Sequence, residues 1–312
     1  MNNPKWRIFI KFSGVTLVLC FLIAFSAYGA DTTTLDRLDK IIQQHQAQIE
    51  AQPKGLEQLQ EQVDTNALGK FSMGWGSTAS DGTSEMDLSG TSVVGYSSVG
   101  DMAGGQLFFN DNTDSLSDTD IGDIFSNMDG LGRDERIRYD TTNLNGFIGS
   151  ASYIADGGGD IAVRYNGEIE AFIKVAAAIA YSNPGSSSDV IDDQLNGSVS
   201  VLFNSGLNGT VAMGSRDNKS DSRDDAEFFY TKIGYQADWC PIGVTSLAVD
   251  YGNYSDIRKN GDQADTFGFQ MVQDFKKWAA ETYLGYRFHK LDSNDGEYEN
   301  INAIMTGMRI KF

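Results

Sequence analysis

The sequence predicts an all-β fold, a transmembrane antiparallel β-barrel, on three observations. Residue chemistry alternates with a period of two along most of the chain. The connections between alternating stretches are by turns short and long. After residue 29 no stretch is apolar for long enough to make a membrane-spanning helix, so a chain that crosses a bilayer must do so as a closed barrel. The stretch Gly132–Phe147, GRDERIRYDTTNLNGF, carries the pattern plainly. Arg136, Arg138 and Asp140 fall on one face of a strand, and Ile137 and Tyr139 on the other. In a membrane barrel the apolar set meets lipid and the charged set a wet lumen.

Residues 1–29 read as a secretory signal peptide. Lys5, Arg7 and Lys11 form the charged end, Val15–Phe25 the apolar run, and Ala27-Tyr28-Gly29 the small-residue cleavage site. The apolar run falls short of the ~20 residues that span a bilayer. The formal charge of the whole chain is −19, and removing the signal leaves 21 basic against 43 acidic residues. That balance excludes nucleic acid as a partner. Of two cysteines only Cys240 survives cleavage, so the mature chain forms no internal disulfide. With 11% aromatic residues and regular alternation, the acidity is that of a folded chain.

Residues 30–66 form a polar, Gln-rich leader. Its apolar residues keep a 3–4 spacing: Leu35, Leu38, Ile42, Ile49, Leu56, Leu59 and Val63. His45 and Gln52 interrupt that register and Pro53 breaks it. The spacing predicts a periplasmic helix, either a short oligomeric coiled coil or a single amphipathic helix.

The barrel occupies 67–312. About twelve strands are predicted, at 68–76, 134–141, 146–154, 160–167, 170–181, 191–204, 207–216, 226–237, 242–253, 263–274, 277–290 and 298–312. The connections at 141–145, 166–167, 204–207, 238–242 and 275–277 are short. Those at 182–189, 216–225, 255–265 and 290–300 are longer and polar, with 155–159 the one short member of that set. Sorting of short turns to one rim and long loops to the other belongs to outer-membrane barrels and has no cause in a soluble sandwich. Tyr153, Tyr181, Tyr235, Trp239 and Tyr251 near strand ends fit interfacial girdles. The final strand alternates Met308, Ile310 and Phe312 with Arg309 and Lys311.

One connection, at about 77–133, is far longer than the rest, and loops of such length are commonly functional. It is strongly acidic, yet it holds Val93, Val94, Tyr96, Leu107, Phe108 and Phe109, enough apolar content to pack inside something.

GRDERIRYD, the DLSGT, GDIFSN and DGLG segments of the long connection, and the terminal Phe312 together resemble the Gram-negative general porins. The resemblance covers about 67–312. It implies that the long connection folds into the barrel as a constriction loop. The pore wall would then carry Arg133, Arg136, Arg138, Arg164 and Lys174, and the loop would present Asp111, Asp114, Asp118, Asp120, Asp123 and Asp129 across a narrow water path. Opposed charges create a transverse field that selects small polar solutes. The same arginines can also pair with lumen carboxylates such as Asp140 and Glu170 and simply brace the wall. Further implications are an outer-membrane location, homotrimers, contact with membrane lipid and lipopolysaccharide, and delivery to the barrel-assembly machinery through Phe312. The permeants would be ions and small hydrophilic solutes. The family's barrel has sixteen strands, so this one lacks about four and is narrower.

Two other functions bear weighing. A hydrolase needs a nucleophile oriented by a histidine, and the mature chain offers only His45 and His289. No cofactor or metal motif is present: Gly74-Trp75-Gly76 lies in a strand and no Gly-Lys-Ser/Thr follows it. A poorly conducting barrel that tethers the envelope through its helical leader is the structural alternative.

Overall fold

The structure is a computed structural model and describes residues 61–65, 69–220 and 222–311. The signal peptide, the leader up to residue 60, and Phe312 lie outside the described residues. In chain order the elements are β1 (Glu61–Thr65), β2 (Gly69–Ser77), β3 (Leu107–Asn110), β4 (Ser115–Asp120), helix α1 (Ile121–Ile124), β5 (Arg133–Asp140), β6 (Phe147–Ile154) and β7 (Gly159–Ile169). Then follow β8 (Ile173–Asn183), β9 (Ile191–Phe203), β10 (Leu207–Asn218), β11 (Ala226–Cys240), β12 (Gly243–Ser255) and β13 (Gln263–Phe275). The chain closes with β14 (Ala280–Ser293), β15 (Gly296–Glu297) and β16 (Ile301–Ile310).

One 14-stranded antiparallel sheet runs β1-β2-β5 and then in sequence order to β14, with β15 and β16 both paired to β14; β3 and β4 form a separate hairpin. All twelve predicted strands are present. The short β15 and β1 are additional. β1 corrects the leader's boundary: Glu61–Thr65 pairs antiparallel with Gly69–Met73 instead of continuing a helix. The reason lies alongside: the edge of β2 offers a ladder of unpaired amides that an extended segment satisfies. Setting β15 aside, the sheet has an odd number of strands, so β1 and β16 run in the same direction. Among the described residues no pairing joins these two, and the sheet is open along that seam.

The faces are inverted relative to a water-soluble sheet. On β11, Phe229, Ile233 and Tyr235 are exposed, whereas Phe228, Tyr230 and Lys232 between them are buried. Ile233 is 62% accessible and Lys232 1%. The same holds across the sheet. Ile161, Val163, Ile179, Leu195, Val249, Phe267, Leu284 and Ile304 point outward, while Asp160, Gln194, Asn196, Asp250, Gln270 and Arg287 are buried inside. Such an apolar exterior requires lipid.

The strands reach further than alternation predicts. Asp217 and Asn218 still pair with Asp193 and Ile191, and Gln263 pairs on both sides, with Ser255 and with Asp292. Polar residues do not end a strand that has left the hydrocarbon, because water solvates their side chains. The long rim therefore consists of 155–158, 184–190, 219–225, 256–262 and 294–300, and the short rim of 141–146, 170–172, 204–206, 241–242 and 276–279.

Residues 78–132 leave β2 at the long rim and lie along the inward face of the sheet. They carry the β3–β4 hairpin, α1 and a 3-10 turn at Val99–Asp101. α1 is capped at both ends of its first turn: Asp120 accepts from the Asp123 amide, and Asp123 from that of Asp120. Val99, Phe108, Ile121, Ile124, Phe125 and Met128 from this segment pack on Ala212, Phe228, Tyr230, Tyr254, Ile257, Ala264 and Leu291 of the wall. Phe125 stands edge-on to Tyr254, with ring centroids 5.0 Å apart, and to His289 at 4.7 Å. The wall makes room with small residues. A Cβ on Gly285 would lie 2.6 Å from side-chain atoms of both Val94 and Met102.

Phe125→Ala removes the centre of this packing. The expected loss is ~3–5 kcal/mol, read as a lower urea midpoint of the refolded protein and earlier proteolytic cleavage within 78–132 while the strands survive.

Candidate functional site

The inserted segment meets the wall at three places. At its base, on β5–β7, arginines take carbonyl groups that no strand can reach. Arg136 Nε donates to Ser77 O at 3.0 Å, Arg138 Nη1 to Thr78 O at 2.6 Å, and Arg164 Nη2 to Asp81 O at 2.6 Å. Between them the buried Asp160 carboxylate accepts the Ala79 amide at 3.2 Å, the Ser80 amide at 2.8 Å and Ser80 Oγ at 2.5 Å, and takes Ser152 Oγ as well. A buried carboxylate with four donors is fully satisfied and holds its partners firmly.

In the middle, on β9–β11, small hydroxyl and amide side chains form a polar track. Asn196 Nδ2 donates to Thr83 Oγ1 and Ser84 Oγ, each at 2.7 Å. Ser198 and Ser200 receive the Met86 and Leu88 amides at 3.0 and 2.8 Å, Gln236 donates to Leu88 O at 2.6 Å, and Lys232 pairs with Asp87. At the far end Arg258 joins three pieces of chain. It bonds Thr119 Oγ1 of the segment at 2.7 Å, Asp262 of its own loop at 2.9 Å, and Asp295 of the next loop. The hairpin is also tied by backbone: the Asp111 amide donates to Glu297 O at 2.8 Å and the Glu299 amide to Phe109 O at 2.9 Å.

The segment also carries a group of carboxylates, of which Asp129 lies near Arg164. Asp129 accepts the Gly82 and Ser84 amides at 2.6 and 2.9 Å, Glu85 accepts from Asn127 Nδ2 at 3.0 Å, and Asp101 accepts the Tyr96 hydroxyl at 2.5 Å. Burial, then the neighbouring charges of Asp129, Asp101 and Asp81, push the Glu85 carboxyl up to about 7. Burial also raises Asp129, against the backbone amides and Arg164, which lower it.

The predicted site residues divide accordingly. Arg138 and Arg164 do meet the segment, but by direct contact with the backbone at its base, not across open water, whereas Arg136 bonds the Ser77 and Gly74 carbonyls of β2. Arg138 is in addition paired with Asp140 at 2.7 Å, the bracing role. Arg133 is exposed at the start of β5. Lys174 stands at the short rim, away from the inserted segment, in a loose pair with Glu168 at 3.8 Å. Among the acids only Asp129 adjoins an arginine. Asp111, Asp114 and Asp118 are exposed on the β3–β4 hairpin, and Asp120 and Asp123 serve the cap of α1. Those five face away because a hairpin seated on the far wall turns its apolar side inward and its acids out.

Sequence reasoning passed over the anchors Asp160, Asn196, Lys232 and Arg258. Three of the four sit on the inward phase of the alternation, and that phase could have found them. His289 is buried against Phe125, and neither ring nitrogen has a hydrogen-bond partner among the described residues, so no hydroxyl is poised on it.

A family profile for Gram-negative porins matches residues 62–294. No curated protein sequence matches the chain. Among solved structures, outer-membrane expressed OmpT of Vibrio cholerae aligns at 13% identity over 80% of this chain and 77% of its own, with a TM-score of 0.48. An anion-selective porin from Comamonas acidovorans aligns at 13% identity over 81% and 77%, also with a TM-score of 0.48. Pseudomonas aeruginosa OccD3 aligns at 16% over 56% of each chain, with a TM-score of 0.39.

Asp160→Ala strips the base of its buried acceptor and takes it from the Ser80 amide and the Ser80 and Ser152 hydroxyls, while the Ala79 amide keeps Ser152 Oγ. Each donor left unsatisfied costs ~1–3 kcal/mol if water does not reach it. The variant is expected to lose stability in urea and to be cut by proteinase K near 79–88 before any strand is cut.

Proposed function

The chain belongs to the Gram-negative porin family, and from that premise we propose that it forms a water-filled channel for passive diffusion of ions and small hydrophilic solutes across the outer membrane. One observation carries the reading: an acidic inserted segment, with Asp81 and Asp129 beside Arg164, shares the inward side of the sheet with Arg136, Arg138 and Arg164. A narrow path between fixed charges of opposite sign orders water and favours small polar solutes over large or apolar ones. Acids outnumber bases in the segment and in the whole chain, which supports a mild preference for cations.

The same reading includes homotrimers, an exterior covered by lipid and lipopolysaccharide, a periplasmic leader over 30–60, and insertion through recognition of the terminal strand. A second reading has specific support. The segment is bonded to the wall at its base, its middle and its far end, as a plug would be, and a barrel so filled would serve the envelope structurally and conduct little. Single-channel current in a planar bilayer under a salt gradient decides between them. Discrete steps support the channel, and insertion into the bilayer without current supports the plug.

Two further outcomes are expected of the channel. Glu85 is charged above about pH 7 and neutral below it, so cation preference declines as pH falls from about 8 to about 6. Glu85→Gln abolishes that step, and the reversal potential measured at each pH reads it. Arg138→Ser removes positive charge and bulk from the wall, and unit conductance and cation preference both rise in the same recordings.

A further inference from the structure

Lys232 lies outside both charged walls of the proposed aperture, yet it bonds four acceptors inside the sheet. It projects inward from β11 and is 1% accessible. Its Nζ stands 2.7 Å from Asp87 Oδ2, 3.2 Å from Ser89 Oγ, 3.1 Å from Thr91 Oγ1 and 2.5 Å from Gly95 O. All four acceptors come from residues 87–95 of the inserted segment.

That stretch folds into a cup. Asp87 Oδ1 accepts the Ser89 amide at 2.7 Å, the Ser89 and Thr91 hydroxyls lie 2.8 Å apart, and the Val94 and Gly95 amides donate to Thr91 O at 3.0 and 3.1 Å. The turn uses its amides on itself and aims its free oxygens at one point. A carboxylate and a carbonyl that converge where water is excluded need a donor, and an ammonium with three protons satisfies both and the hydroxyl oxygens beside them. The cup is a cation site whose cation is supplied by the wall.

Its neighbours transmit the hold. Glu85 lies two residues before Asp87. Tyr96 follows Gly95 and donates to Asp101. On the other side of the turn, Gly95 sits against Gln270, and Val94 against Gly285. We infer that Lys232 is the positioning residue of the pore: by filling the cup at 87–95 it fixes the flanking carboxylates Glu85 and Asp101 of the inserted segment and so sets the aperture. The effect on aperture rests on the channel reading; the clamp itself does not.

The test uses the refolded full chain, as wild type and as Lys232→Ala, with amide hydrogen exchange and single-channel current read in parallel. Exchange protection at 87–95 is expected to fall by roughly 100-fold in Lys232→Ala, the consequence of unpairing a buried charge, while the strands keep theirs. Current steps are expected to become larger and noisier. Propylammonium, which fits the space the side chain leaves, is expected to restore both. Unchanged protection together with unchanged current overturns the inference. Lost protection with no current from any protein, wild type included, upholds the clamp and overturns the channel reading. If Lys232→Ala does not refold, Asp87→Asn keeps the size and hydrogen-bonding capacity of the cup while discharging it. It carries the same expectation at smaller amplitude, and an unchanged result there overturns the inference equally.

Discussion

A sheet one layer thick with hydrocarbon against its outer face can gain nothing by burying apolar groups there, because lipid is as apolar as the side chains it touches. Whatever core this protein has must form on the inside, and the inside of a strand carries every second residue only. The inserted segment answers that constraint. Phe108, Ile121, Ile124, Phe125 and Met128 supply the missing half of a hydrophobic core that the wall begins with Phe228, Tyr230, Tyr254 and Leu291. The segment is thus the second layer of the fold as much as a functional loop, and the wall's small inward residues, Gly285 among them, are shaped to admit it.

The polar contacts follow from the same burial. Asp160, Lys232, Asp250 and Arg287 are all inside and nearly inaccessible. Asp250 and Arg287 form a two-pronged pair, at 2.7 and 2.8 Å, that also holds the Tyr230 hydroxyl and Gln270. Buried pairs of this kind add little net stability over apolar replacements, but they are costly to break singly and they admit one register only. Core contacts would let the segment slide. The ion pairs, the Asn196 and Ser198 track and the backbone ties at 109–111 fix where it stops.

The alternation made the strands legible: one residue in two must face lipid, and Ile161, Val163, Ile179 and Ile233 can do nothing else. Turn composition and the anomalous length of 77–133 exposed the inserted segment. Three features stayed hidden for physical reasons. β1 is written in residues of no strong preference, and its conformation comes from the free edge of β2. The strand ends at Asp217 and Asp292 are polar because they lie in water, so composition reads them as loop. The acids of the segment are alike in sequence, and only the packing of the β3–β4 hairpin separates Asp111, Asp114 and Asp118, turned outward, from Asp129, turned toward Arg164. Composition located the charge but not its direction.

Strand number is often taken as the measure of a pore, since barrel diameter grows with it. Here the segment's anchors are the tighter constraint. The Asp160 base and the Asn196–Lys232 track lie on strands only a few positions apart, and the chain between residues 80 and 88 is held at both ends. The free space beside it depends on how far Asp81, Glu85 and Asp129 stand from Arg138 and Arg164, which these anchors decide before the wall does. A wider sheet with the same anchors would keep this gap and add water elsewhere. A sheet of this size with the anchors released would let the charged face move. In the proposed channel, selectivity would therefore belong to the join between segment and wall, and the number of strands would set only how much room surrounds it.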